Sequence, residues 1–190
     1  MVRTVIGGLV GGFVIYLVGF IFWGTPLGGM AVASVTDAQS AAVQTSLAQN
    51  LTERGTGTYV IPSPGTAEGT TLYGQGPIAV VHFNTNGYPA TDVNSLVVGL
   101  ILALLVGILI AFALAAVRGG FAARARVAVL YALAITVWTI LAQPVFNHYG
   151  WGYWIYAFIA DLIALSLAGI VIARWFLRDG VAAEGVRAEA

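Results

Sequence analysis

Residues 151–178 read WGYWIYAFIADLIALSLAGIVIARWFLR, and the rest of the chain is placed relative to this stretch. It opens on clustered aromatic residues, closes on Arg174 and Arg178, and is long enough to cross a hydrocarbon layer of ~30 Å at ~1.5 Å per residue. Tryptophan and tyrosine favour the boundary between lipid and water, so the stretch reads as a transmembrane helix, placed at 152–177. Its interior holds one acid, Asp161. A carboxylate at the centre of a lipid-embedded helix costs ~2.5–3.5 kcal/mol on insertion scales, so it is expected to face other helices and meet a partner there. Ala157, Ala164 and Ala168 share its face at helical spacing, which assigns Asp161 to the packed side rather than to lipid. Thr136, Thr139, Tyr16 and Gln143 are the polar side chains available near its depth.

Composition agrees with a membrane protein. Of 190 residues 59% are hydrophobic and 8% charged, against about a quarter charged in soluble domains. The mean hydropathy is +0.89. Eight basic residues balance eight acidic ones and lysine is absent, so no basic block exists to track phosphates, and nucleic acid is not an expected partner. The absence of cysteine excludes disulfides, thiolate catalysis and Cys-ligated metal centres.

Three further apolar runs complete a bundle of four spans. The first occupies 1–23; a secretory signal peptide ending near Ala31-Val32-Ala33 is the competing reading, but the run exceeds the ~7–15 apolar residues of a signal core. Gly7, Gly8, Gly11 and Gly12 give it two overlapping GxxxG spacings, which permit close approach of a neighbouring backbone. The second span, 94–117, carries Gly99, Ala103, Gly107, Ala111 and Ala115 every four residues, a narrow face of small side chains where another helix should lie. After a turn at 118–126 the third span runs 127–146, a loop covers 147–151, and a tail follows at 178–190.

Between the first two spans, 24–93 is rich in Gly, Ser, Thr, Asn and Pro and reads as a small extracytoplasmic α/β cap. Thr36 with Gln39 has the capping-box form for a helix reaching about Leu51, with Val43 and Leu47 facing inward. Thr58-Tyr59-Val60-Ile61 and residues 78–83 read as strands, joined by a Gly/Pro/Thr loop. Arg3, Arg118, Arg124, Arg126, Arg174, Arg178 and Arg187 fall on one side of this arrangement and only Arg54 on the other, which puts both termini in the cytoplasm of a multi-pass inner-membrane protein. The fold class is an all-α membrane protein: four transmembrane helices with an α/β cap.

Layout alone is similar to that of tetraspan membrane proteins such as claudins, which carry paired cysteines in the corresponding outer segment. This chain has none, so no residue role is carried over.

Chemical signatures are sparse. His82 and His148 are the weak metal-ligand candidates, distant in sequence and without ligand spacing, so no metal, cofactor or catalytic residue is assigned and the chain reads as a non-enzyme. The leading expectation is a non-catalytic accessory or scaffold subunit of a bacterial membrane assembly. Its partners would be lipid and other membrane subunits or further copies of itself, engaged through the glycine and alanine faces of the first two helices. The alternative is a small transporter or channel component with Asp161 as its proton or cation site.

Overall fold

The computed structural model of the protein describes residues 1–177; the tail at 178–190, with Arg178 and Arg187, lies outside the described residues. The chain is mostly helical and forms two units, one from Met1–Ala33 and the chain from Val93 onward, the other from Ser34–Asp92. Among the described residues four helices are long and apolar enough to cross a membrane: Val2–Trp23 (α1), Val93–Ala115 (α4), the helical run Phe121–Asn147 and Trp151–Trp175 (α7). At most 33% of the most apolar window of any of them is buried within the chain. Large apolar side chains such as Ile101, Leu109 and Trp138 instead point outward, as they do where the surroundings are themselves apolar.

The first helix is the wedge of the helical unit. Its two glycine pairs lie about 100° apart on the helix and serve different neighbours. Gly8 and Gly12 meet α4: a Cβ on Gly12 would sit 2.5 Å from the Ala103 carbonyl oxygen and the Leu104 Cα, and one on Gly8 2.6 Å from the Ile108 Cα. Gly107 returns the contact against the backbone of Gly8 and Gly12. Gly7 and Gly11 meet α7, where the added Cβ atoms would lie 2.5 Å from the Phe176 Cβ and the Ile172 Cδ1. Helices without side chains at their contact approach closely enough for backbone dispersion to hold them, which is the force available where lipid removes the hydrophobic one. Of the α4 stripe, Ala103, Gly107 and Ala111 are buried, Gly99 is half-buried beside Tyr16, and Ala115 is exposed. Most of these small residues are therefore packed within the chain, with Gly99 and Ala115 at the margin.

The third span departs from regular helix. The expected turn at 118–126 is shorter: Gly120 caps a helix that begins at Phe121 because the alanine-rich 121–125 favours it. This helix (α5, Phe121–Thr136) passes into a π-turn at Val137–Leu141 and then a short α6, Ala142–Asn147. Pro144 explains the wide turn. Its ring would collide with the carbonyl of Ile140 four residues back and it offers no N–H, so the upstream turn expands. His148 in the left-handed conformation (φ 56°) ends α6, and α7 starts three residues later.

Contacts place α1 between α4 and α7, and α5 on the other side of α7. The shared core of Ala111, Leu114, Ala128, Ile172 and Leu177 lies wholly at the arginine-bearing end. The opposite end is tied by aromatic residues of α1 and α7: Trp23 packs at 5.2 Å from Tyr156 and 5.7 Å from Tyr153, and the Tyr156 hydroxyl donates to the Phe22 carbonyl at 2.6 Å. Helices α4 and α5 touch only sparsely.

In the second unit, Asp37–Leu51 (α2) starts at a Thr36 capping box and is followed by a 3₁₀ turn, Thr52–Arg54. Strands Gly57–Ile61 (β1) and Ala79–Phe83 (β2) pair antiparallel, with Tyr59 opposite Val81. The segment between them, read from sequence as a loop, contains a helix, Ala67–Gln75 (α3). Its N-terminus is set by Thr66, whose hydroxyl accepts from the Gly69 amide at 3.0 Å, and Glu68 favours the positive end. Val43 was expected to face inward and is instead 59% exposed, because α2 packs on little else in its unit. Leu51 is the unit's one fully buried hydrophobic residue.

Candidate functional site

The candidate site is built around Asp161 on α7. Its register against the other helices follows from three contacts. Gly11 meets Ile172 and Phe22 meets Tyr156, so α1 runs antiparallel to α7 and its residues near Gly19 fall at the level of Asp161. Gly169 meets Ala128, so eight residues further along both antiparallel helices Asp161 stands level with Thr136. That is the residue at which the third span turns into its π-turn.

Ala157, Ala164 and Ala168 are buried, yet Asp161 on the same face is exposed. The expectation of a packed Asp161 is therefore corrected, and the cause is visible along one line of α7. Ile172 lies eleven residues from Asp161, three turns and about 16 Å away on nearly the same bearing. It is fully buried in the core with Ala111 and Leu114 of α4. At the level of Asp161 that backing is gone: α4 makes no substantial contact with the π-turn or α6, and a Cβ on Gly19 would meet nothing within 4 Å. Asp161 is thus exposed at a level where α4 and the third span stand apart, away from the arginine end.

Three polar groups near this depth are committed within the third span, while the Ser166 Oγ of α7 is buried without a hydrogen-bond partner. Thr136 is buried and its hydroxyl donates to the Ala132 carbonyl at 2.7 Å, while Thr139 donates to Ile135 at 2.8 Å and the Gln143 amide to Thr139 at 3.3 Å. Each hydrogen bond stays within its own helix. Among the described residues nothing at this level supplies a cation: the nearest arginine on α7, Arg174, is thirteen residues or ~20 Å away.

Hollows elsewhere among the described residues include the following two. One of about 370 Å³ at the arginine end is lined by Arg3, Arg124 and Phe176, with the Arg3 guanidinium donating to the Trp175 carbonyl at 2.8 Å and Arg174 lying 5.8 Å from the Phe121 ring centre. The other, about 590 Å³, lies within the second unit between α2 and β2 and mixes Val43, Leu47 and Phe83 with Gln44 and Asn84. His82, on its rim, shares a hydrogen bond of 3.0 Å between its Nδ1 and the Thr58 hydroxyl. His82 and His148 belong to different units, and no group of three or more His, Cys, Asp or Glu converges among the described residues.

Sequence reasoning found Asp161 and the small-residue faces. It missed the π-turn, for which Pro144 following an uninterrupted apolar run was the available signal. No known protein family, curated protein or solved structure matches the chain.

Proposed function

We propose that this chain is a non-catalytic accessory subunit of a bacterial inner-membrane assembly, a four-span bundle with both termini cytoplasmic and the 34–92 unit outside. One observation carries the reading: a carboxylate halfway along an apolar helix is exposed instead of buried in the chain's own core. In lipid such a group is expensive to leave unmatched, and a bundle that spends its small-residue faces internally while leaving its acid outward is complete only with another component. Sidedness rests on the arginines, five of which among the described residues flank the same ends of the spans.

Transport through Asp161 is the less favoured reading. A proton or cation path needs successive polar groups, and the hydroxyls of Thr136 and Thr139 are turned to their own helices. The test is extraction of the protein from its native membrane in mild detergent, then native-gel sizing with mass spectrometry of the band. A discrete heteromeric species supports the accessory role, and a stable monomer overturns it.

A further inference from the structure

From the exposed carboxylate of Asp161 we infer the chemistry of the missing component: a transmembrane helix of another protein, carrying an arginine or lysine near its middle, that lies between α4 and the third span and pairs with Asp161. The inference rests on the accessory-subunit reading and makes it specific. The helices around Asp161 turn aliphatic or aromatic residues outward, and among them it is an exposed carboxylate. A lipid chain would satisfy those apolar residues and leave the acid without a donor. A second copy of this chain would bring no cation, since lysine is absent and the described arginines sit at helix ends or in the second unit; it would set one Asp161 against another. A hydrated ion would need several further oxygen ligands, and the hydroxyl level with Asp161, that of Thr136, is buried against its own helix. A basic side chain on an apolar helix meets every requirement. Each charge is costly alone in hydrocarbon and each removes the other's penalty, so the pair selects its partner more sharply than apolar packing does.

The space beside Asp161 fits this occupant. The π-turn starts level with Asp161, and α1 presents Gly19 with open space before it at the same height. The incoming helix therefore meets no bulky side chain from α1 at the point where its charge must reach Asp161.

The experiment reconstitutes the full chain in bicelles with a synthetic single-span Leu/Ala helix and measures association by energy transfer, using three helices with Arg, Leu or Glu at the centre. The central-Arg helix should bind at least about tenfold tighter than the central-Leu helix, and Asp161→Asn should remove most of that difference without changing the thermal midpoint of the protein alone. Asp161→Lys should reverse the preference toward the central-Glu helix. Equal binding of the Arg and Leu helices, or full retention of the preference in Asp161→Asn, overturns the inference, as does self-association of the chain through this face. Native-gel sizing separates the two levels of the argument. If wild type and Asp161→Asn both remain in one heteromeric band, the accessory role stands and the assignment of its contact to Asp161 falls. If wild type runs alone, the accessory role itself falls.

Discussion

Adding one methyl group at Gly12 tests how the helical unit is held together. The Cβ of Gly12→Ala would lie 2.5 Å from the Ala103 oxygen and the Leu104 Cα, against the 3.4–4 Å of ordinary contact. Both obstacles are backbone, so neither can swing aside and the helices must part by about 1 Å. With ~40 atom pairs across the seam at ~0.1–0.2 kcal/mol each, a gap of that size forfeits a quarter to a half of the attraction, or roughly 1–4 kcal/mol. Alanine's better helix propensity returns ~1 kcal/mol at most, leaving a net loss of up to roughly 3 kcal/mol, the scale usual for overpacking. Gly19→Ala on the same helix is the control, because its methyl group enters open space and keeps only the propensity gain. Tryptophan fluorescence through a titration from mild detergent into SDS measures both variants. Gly12→Ala should unfold at a lower SDS fraction than wild type and Gly19→Ala at the same or a higher one. If the two alanines unfold together, the α1–α4 seam is not a backbone contact and the account of the bundle is wrong.

Two further expectations concern the other end and the third span. Tyr156→Phe removes the hydroxyl that donates to the Phe22 carbonyl at 2.6 Å while keeping the ring against Trp23, so it should cost ~1 kcal/mol in the same titration; an unchanged midpoint would remove that bond from the account. Pro144→Ala restores an amide N–H to the span and should let 137–141 relax to α-helix, slowing hydrogen exchange there; exchange equal to wild type would show that something other than Pro144 holds the π-turn.

The spans were legible because lipid-crossing helices need little more than length and apolarity, and Val2–Trp23 and Trp151–Trp175 ended where their aromatic and arginine flanks indicated. The Thr36 capping box and both strands were likewise local signals, carried by residue type over a few positions. What could not be read was relational. The spacing at Gly7, Gly8, Gly11 and Gly12 announces close packing, but only the arrangement of helices tells that one pair serves α4 and the other α7. The alanine neighbours of Asp161 pointed to a packed face, yet its exposure depends on how far α4 and the third span stand apart at that height. α3 was overlooked because Gly69 and Gly74 weigh against helix in any propensity sum, while the Thr66 cap that starts it occupies a single residue.

The placement of the core gives the helical unit a mechanical character. Its buried cluster of Ala111, Leu114, Ala128, Ile172 and Leu177 acts as a clamp at one end of a long lever, the 27-residue run Phe121–Asn147, while α4 is held further along by its seam with α1. A lever ~40 Å long that turns by only ~5° about such a clamp carries its free tip roughly 3 Å sideways. The space beside Asp161 can therefore widen or narrow by movement of that run alone, with little disturbance of the packed residues.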